Sequence, residues 1–279
     1  MGNHHRILER SGAGALIALA VLGSGCRAGT PEPGPLVTDP SPEPVMSEAQ
    51  TPPPIEYHEP GDRVARARER VGDDVREALA AKGVSSPAAF VFFRAFKAER
   101  ELELWAGDSP GGLTLIKTYP VAAASGGPGP KRREGDRQVP EGIYHIDRFN
   151  PQSSYHLSLG LNYPNESDRV RSDRDRPGSD IFIHGRAVSI GCLAMTDPVI
   201  EFIYVLADGA RAAGQRQIPV HIFPARPGTA AWDDLMERHP EHRAFWREIE
   251  PAYELFETTR TLPIVAVGPD GRYIIGSRR

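Results

Sequence analysis

The sequence has few cysteines, little net charge and no apolar run long enough to cross a membrane. Its 279 residues include two cysteines, Cys26 and Cys192, which are too few for a disulfide framework. The net charge of −4 excludes the strongly basic surface of a typical nucleic-acid-binding domain, so no nucleic-acid partner is expected. The apolar segment at residues 13–22 is about half the length that a membrane-spanning helix needs, which is about 20 residues.

Two motifs of common catalytic classes are also missing. There is no Gly-x-Gly-x-x-Gly and no βαβ alternation, which argues against a nucleotide-binding fold. There is no His-Glu-x-x-His, and the pair His239 and His242 is more typical of a solvated helix start than of a zinc site. We therefore expect neither a cofactor nor a metal.

Residues 1–25 have the three parts of a secretory signal peptide. Arg6 and Arg10 provide the positive region, residues 13–22 the apolar core, and residues 23–25 (Gly-Ser-Gly) the small residues before Cys26. The segment predicts export into the periplasm or cell envelope.

The junction at Cys26 resembles the lipobox of bacterial lipoproteins, although Gly23 stands where leucine is usual. The resemblance implies lipidation of Cys26 and attachment to a membrane. The alternative is a secreted protein in which Cys26 is removed or idle. In both cases Cys192 is the only thiol left for the mature domain, which excludes a structural disulfide and leaves a buried apolar side chain or a working thiol.

Residues 26–61 form a proline-rich segment. Ten prolines lie between Pro31 and Pro60, with almost no periodic apolar residues between them. Such a segment is too polar to fold, and its prolines favour an extended chain of about 3.1 Å per residue. It is interpreted as a disordered tether, which is either a simple leader or a spacer that holds a catalytic domain about 100 Å from a membrane surface.

The remaining sequence predicts short strands with scattered helices. Apolar spacing predicts a helix within residues 62–86, a helix that begins at Asp197 as N-cap with Pro198 in its first turn, and a helix at 241–256. Residues 101–106 alternate as expected for a half-exposed strand. Other strands are predicted at 89–96, 113–121, 139–146, 181–184, 218–223, 262–267 and 272–275. This pattern indicates a β-rich α+β fold, with a catalytic domain at 87–225 and a helix–strand extension at 226–279.

The candidate chemistry lies in residues 180–197. His184 ends an apolar strand, and Cys192 follows eight residues later. A thiol is a strong nucleophile once an imidazole takes its proton, and the backbone N–H groups around Gly191 are candidates for binding the oxyanion of an acyl intermediate. Spacing alone leaves open a chance pair with a structural histidine.

The arrangement His-Gly…Ser-x-Gly-Cys resembles the signature of the YkuD-like L,D-transpeptidase family. The resemblance implies a β-rich catalytic domain with peripheral helices, which acts on peptidoglycan stem peptides through a thioester. It implies Cys192 as nucleophile and His184 as general base and acid. The implied supporting residues are Gly185, Ser189 and Gly191.

Two positions depart from the family pattern. Ile190 stands where a second histidine is usual, and Ala194 stands where Arg or Asn is usual. Neither side chain forms hydrogen bonds, so either other residues hold the carboxylate of the donor peptide or the substrate differs. Tyr155, His156 and Arg186 are candidate substrate contacts, with a structural histidine as an equal alternative for His156.

A narrower branch, the YafK-like proteins, accounts for both departures. Its pattern resembles this chain over roughly residues 90–275, in the segments Phe-Lys…Leu-Glu-Leu-Trp, Gly-Pro-Lys…Glu-Gly-Asp…Pro-Glu-Gly-Ile-Tyr, Asn-Pro…Ser-Tyr-His-Leu, Tyr-Pro-Asn, Ser-Ile-Gly-Cys-x-Ala-Met-Thr-Asp and His-Ile-Phe-Pro. The branch includes an amidase that detaches a lipoprotein from peptidoglycan. The resemblance therefore leaves the acceptor open between an amine and water, with a non-catalytic peptidoglycan-binding protein as the other alternative.

Overall fold

The computed structural model describes residues 60–277. The predicted signal peptide at 1–25, the lipidation at Cys26 and nearly all of the predicted tether at 26–61 lie outside the described residues. The described residues belong to one compact unit. Within them, no helix combines the length and the apolar character needed to cross a membrane.

A mixed sheet of eight strands forms the centre of the domain. In spatial order the strands run β3-β2-β1-β8-β4-β5-β6-β7. Most neighbours pair antiparallel, but β8 lies parallel to β1 and β7 lies parallel to β6. The strands are β1 Phe90–Phe96, β2 Glu101–Gly107, β3 Thr114–Pro120, β4 Gly142–Asn150, β5 Ser158–Leu161, β6 Phe182–His184, β7 Leu193–Ala194 and β8 Ile218–Phe223.

Helices cover both faces of this sheet. Val91, Phe93 and Ala95 of β1 pack in a core with α1 (Pro60–Ala80) and α3 (Asp197–Ala212). Phe92 and Phe96, which point to the opposite face because side chains alternate along a strand, pack with α4 (Ala230–Arg238), α5 (Arg243–Thr259) and the hairpin of β9 (Ile264–Val267) and β10 (Tyr273–Gly276). Residues of the predicted helix–strand extension at 226–279 therefore contribute to the core on this face of the sheet.

Strand β2 is more buried than the sequence predicts, because helices cover both faces of the sheet. The alternation in residues 101–106 predicts a half-exposed strand, but every residue of β2 after Glu101 is buried. Leu102 and Leu104 face α1 and α3, while Trp105 faces α5. The expectation of a half-exposed strand was wrong because the charge of Glu103 is neutralised inside the protein by Arg94 instead of by solvent.

The helices differ from the sequence predictions in three places. Thr196, not Asp197, is the N-cap of α3. The Asp197 carboxylate does not cap the helix but accepts a hydrogen bond from the Arg186 backbone N–H at 2.7 Å. Two further helices, α2 (Glu166–Arg171) and α4, were not predicted. The His239–His242 pair was expected to be solvated, but both rings pack against Trp246 between α4 and α5. The other predicted helices and strands are confirmed, within a few residues at their ends.

Candidate active site

A cleft of about 420 Å³ opens at the β6–β7 end of the sheet. Cys192 and His184 both line it. The remaining lining residues come from the end of β4, the loop after it and the start of β5, from the segment that enters β6 and the start of that strand, and from the loop that leads to Cys192. They are Asn150, Ser153, Ser154, Tyr155, Ser158, Asp180, Phe182, Val188, Ser189 and Ile190.

The register of β6 and β7 places the thiol and the imidazole on one face. His184 pairs with Ala194, and Ile183 pairs with Leu193, in parallel orientation. Cys192 immediately precedes Leu193, so in this register it lies beside Phe182. Phe182 is two residues before His184 on β6. Since side chains two residues apart on a strand point to the same side, Cys192 and His184 face the same cleft.

The protonation of His184 follows from its contacts. The side chain is 3% exposed, and its Nδ1 lies 2.6 Å from the Gly185 carbonyl oxygen. A carbonyl oxygen only accepts hydrogen bonds, so Nδ1 carries the proton and Nε2 is left as a proton acceptor. Burial lowers the pKa of His184, despite the opposing contribution of the Gly185 carbonyl. The imidazole is therefore a neutral base at neutral pH.

Cys192 is a protonated thiol in this environment. It is half-buried, and its Sγ donates to the Asp180 carbonyl oxygen at 3.7 Å. Burial raises the pKa of the thiol, because the charged thiolate loses hydration there. The thiol therefore needs a base to become a nucleophile at neutral pH, and it must turn from the Asp180 carbonyl to reach one.

Ser189 stabilises the turn that carries Cys192. Its Oγ accepts hydrogen bonds from the Cys192 N–H at 2.9 Å and the Gly191 N–H at 3.3 Å, and donates to the Cys192 carbonyl at 2.7 Å. Gly191 has φ +120°, a backbone conformation that favours glycine. The two N–H groups that the sequence suggested for an oxyanion are therefore engaged by the Ser189 hydroxyl in this structure.

Gly185 allows another segment to approach the base closely, as its position after His184 predicts. A Cβ at this position would lie 2.6 Å from Asp197 Oδ1 and 2.7 Å from the Tyr155 carbonyl oxygen. Any larger residue would push the loop after β4 away from His184.

The three candidate substrate contacts have different positions. Tyr155 lines the cleft, and its ring centroid lies 4.7 Å from that of His184. His156 points away from the cleft, with Nε2 2.6 Å from Glu201 Oε1. Arg186 is exposed and is not among the residues that line the cleft. Of the three, only Tyr155 is among the described residues that line the cleft.

The two departures from the family pattern also differ in environment. Ile190 is 78% exposed at the rim of the cleft. Ala194 is buried in β7, where its backbone pairs with Ala123. Asp180 is the one carboxylate among the described residues that line the cleft. No lysine or arginine of the described residues lines it.

Asp180 and Asn150 were not named as candidate site residues from the sequence. Asp180 directly precedes the apolar strand that ends at His184, and Asn150 opens the Asn-Pro…Ser-Tyr-His segment, so both had a local signal. Among the described residues, no group of three His, Cys, Asp or Glu side chains is placed to hold a metal ion.

The fold and the cleft define a class of protein: an α+β domain in which one thiol and one imidazole share a cleft at the end of a mixed sheet. A family model described as the L,D-transpeptidase catalytic domain, YkuD, matches residues 92–222. The protein named "Putative L,D-transpeptidase YafK" of Escherichia coli strain K12 is 37% identical over 191 residues, which cover 66% of this chain and 73% of that protein. The protein of the same name from strain O157:H7 gives the same values.

The chain therefore belongs to the YkuD-type L,D-transpeptidase family and is YafK-like, which confirms the predicted family and fold. Among solved structures, the helical cell shape determining protein Pgp2 of Campylobacter jejuni gives a TM-score of 0.39 at 19% identity. That match covers 65% of this chain and 67% of that chain. The L,D-transpeptidase 1 of Mycobacterium tuberculosis gives a TM-score of 0.27 at 13% identity over 48% of this chain and 61% of that chain. Similarity at this level carries no functional argument.

Proposed function

We propose that this protein is a cell-envelope cysteine acyltransferase that acts on peptidoglycan stem peptides through a thioester on Cys192. The observation that carries the proposal is the pairing of a protonated thiol with a neutral imidazole in one cleft, where the Gly185 carbonyl holds Nδ1 and leaves Nε2 as acceptor. Membership of the L,D-transpeptidase family, which acts on peptidoglycan, supports the substrate class.

Acylation starts with the thiol proton. His184 Nε2 takes it, and Cys192 Sγ attacks the carbonyl carbon of the scissile amide, so a carbon–sulfur bond forms and the carbonyl oxygen becomes an oxyanion. When the intermediate collapses, the carbon–nitrogen bond breaks and the leaving amine takes the proton from the His184 imidazolium. The products are a free amine and an acyl thioester on Cys192.

Deacylation reverses the roles. His184 Nε2 removes a proton from the acceptor, which attacks the thioester carbon, and the proton returns to the departing Cys192 sulfur. An amine acceptor makes a new amide bond and the protein is a transpeptidase. Water as acceptor makes a carboxylate and the protein is an amidase, for which a peptidoglycan-linked lipoprotein is the candidate substrate. Neither half of the cycle needs a cofactor.

Stabilising the oxyanion requires a rearrangement around Ser189. The Gly191 and Cys192 N–H groups now donate to the Ser189 hydroxyl, so they reach an oxyanion only if that hydroxyl moves. Among the described residues, no lysine or arginine lines the cleft to hold a donor carboxylate. This lining favours a substrate bound through neutral hydrogen bonds and apolar contacts.

The location of the protein is part of the proposal. The signal-peptide pattern at 1–25 and the lipobox-like junction at Cys26 support export and attachment to a membrane. The proline-rich segment at 26–61 would then let the catalytic domain reach peptidoglycan.

The test is an incubation of the mature full-length protein, and of its Cys192→Ala variant, with peptidoglycan sacculi that carry or lack covalently attached lipoprotein. Muropeptides are separated and identified by mass. New cross-links between stem peptides that depend on Cys192 support a transpeptidase, and release of lipoprotein without new cross-links supports an amidase. If the wild-type protein binds sacculi but forms neither product, it is a non-catalytic binding protein and the proposal is wrong.

A further inference from the structure

The loop at residues 151–157, between β4 and β5, forms the wall of the cleft next to the base. We call it the Tyr155 loop. The Tyr155 ring lies 4.7 Å from the His184 ring at an angle of 42°. The Tyr155 carbonyl also lies against Gly185, whose own carbonyl oxygen holds His184 Nδ1. The position of this loop therefore determines the surroundings of the imidazole on two sides.

The backbone of the Tyr155 loop is strained at His156. This residue has φ +72°, in the left-handed region that is sterically unfavourable for a residue with a side chain. A conformation of this kind persists only when surrounding contacts hold it. The Ser153 hydroxyl accepts a hydrogen bond from the Tyr155 N–H at 3.0 Å, but that contact lies within the loop and does not fix it to the rest of the protein.

Two contacts from α1 and α3 fix the loop from outside. His156 Nε2 lies 2.6 Å from Glu201 Oε1 of α3, and Glu201 is 5% exposed. Arg70 of α1 holds the same carboxylate, through Nε to Oε2 at 2.8 Å and through Nη2 to Oε1. Arg63 Nη1 donates to the Ser153 carbonyl at 2.8 Å and to the His156 carbonyl at 2.6 Å.

The sequence accounts for the joint action of the two arginines. Arg63 and Arg70 are seven residues apart, so they lie on the same side of α1 two turns apart. Arg63 donates hydrogen bonds to the backbone of the loop. Arg70 orients the Glu201 carboxylate, which contacts the His156 side chain. Both lie outside the segment 92–222 that the family model matches.

We propose that Arg63 and Arg70 of α1, acting with Glu201 and His156, position the Tyr155 loop against His184, so that α1 is a functional part of the active site. The inference rests on the proposed role of His184 as the base for Cys192. None of the four residues lines the cleft, so they are positioning residues. They act by holding the loop that contacts the imidazole ring and Gly185, which fixes the orientation of the base.

The competing explanation is that these contacts only fasten α1 to α3. The chain offers a matched control, because Arg68 of α1 pairs with Asp208 of α3. The side chains of Arg68 and Arg70 are 58% and 49% exposed, and both carboxylates are buried. Asp208 makes its other ion pair with Arg211 of α3, whereas the Tyr155 loop is held by Arg63 and Glu201. A purely structural role predicts the same effect from Arg68→Met and Arg70→Met.

The experiment measures the alkylation rate of Cys192 by iodoacetamide between pH 6 and 10 in the full-length protein. At pH 7 we expect Arg70→Met to lose roughly tenfold in rate, a part of the 10²–10⁴-fold that a well-placed base contributes, and Arg68→Met to stay within about twofold of wild type. The rates should move closer together as the pH rises towards 10, because hydroxide then ionises an increasing fraction of the thiol without a base. A loosened fold would instead raise alkylation at every pH.

The variant His184→Ala distinguishes a failure of the proposed base from a failure of the proposed positioning role. If it leaves the profile unchanged, His184 is not the base and the proposed function is wrong. If His184→Ala lowers the alkylation rate at pH 7 while Arg70→Met and Arg68→Met have equal rates, His184 is still supported as the base. The positioning role of Arg70 is then wrong. If Arg70→Met does not fold, Glu201→Gln carries the same test. It keeps the shape of the side chain but removes the charge that holds His156, and an unchanged rate at pH 7 would overturn the proposal.

Discussion

Two regions of the same sheet hold polar side chains in opposite ways. At its centre, Arg94 of β1 is 1% exposed, and its guanidinium makes ion pairs of 2.7 Å with Glu103 and with Glu257. It also lies within 4.8–5.2 Å of the ring centroids of Phe96, Trp105, Tyr253 and Phe256. At the β6–β7 end, His184 and Cys192 border an open cleft.

The difference lies in what each region does with charge. The central region keeps opposite charges paired, because an unpaired ion in a dry interior costs several kcal/mol. The cleft holds two neutral groups, whose pKa values burial moves apart, down for His184 and up for Cys192. A charge therefore appears on either of these two groups only when a proton moves between them. The strands there are two and three residues long, so turns rather than sheet pairing set the geometry.

The largest effect should come from the nucleophile, and it should leave stability almost untouched. Cys192→Ala should lower thioester-dependent turnover at least about 10³-fold, because the reaction loses the atom that forms the covalent bond. The side chain is half-buried and makes one long hydrogen bond, so the melting temperature should change by no more than about 2 °C. Muropeptide analysis and calorimetry measure the two values. A large fall in melting temperature would show that the Cys192 side chain also stabilises the fold.

The reverse pattern is expected at the centre of the sheet. Arg94→Met keeps most of the side-chain volume but removes the partner of two carboxylates, and should lower the free energy of unfolding by about 3 kcal/mol. Cys192 alkylation in the folded variant should be unchanged, because Arg94 does not line the cleft. Urea unfolding measures the stability.

A matched control for Arg94→Met is Arg176→Met, which removes an exposed ion pair with Glu134. It should have no measurable effect, since exposed pairs contribute little. If both variants lower the free energy of unfolding by the same amount, the buried network is no more stabilising than a surface ion pair. The proposed contrast between the two regions of the sheet is then wrong.

Sequence patterns predicted the parts of both regions that depend on neighbouring residues. The strands follow from apolar runs, and the Cys192–His184 pair follows from a short segment that shares one strand–loop–strand unit. The environment of Glu103 could not be predicted, because its partner Arg94 is identified only by the pairing of β1 with β2. The sequence left His156 open between a substrate contact and a structural histidine for the same reason, since Glu201 and Arg70 reach it from two helices far away in the sequence.

A smaller effect should appear in the pH dependence of stability. His221 of β8 is fully buried, and burial, together with the nearby charge of Arg94, lowers its pKa to about 3. Below pH ~6.5 the unfolded chain binds a proton at this site that the folded chain excludes until about pH 3. Stability should therefore fall with decreasing pH in that window, by about 1.4 kcal/mol per pH unit.

His221→Leu should abolish this contribution. The stability difference between variant and wild type should shift in favour of the variant by about 1.4 kcal/mol between pH 7.5 and 5.5, as measured by urea unfolding at each pH. Asp168 titrates in the opposite sense, because burial raises its pKa to about 6, but it is present in both proteins and cancels in the comparison. A difference that does not change with pH would mean that His221 is protonated in the folded state.

The smallest effect should come from the rim of the cleft, and it should separate binding from folding. Ile190 is 78% exposed and lines the cleft, whereas Ile274 of β10 is 59% exposed and does not. Covering part of the Ile190 side chain with substrate should contribute about 1 kcal/mol, so Ile190→Ser should raise KM for peptidoglycan fragments roughly fivefold with kcat unchanged. Ile274→Ser should change neither value. Equal KM values for the two variants would mean that Ile190 only fills the position of the histidine usual in the family, and that the rim makes no apolar contact with the substrate.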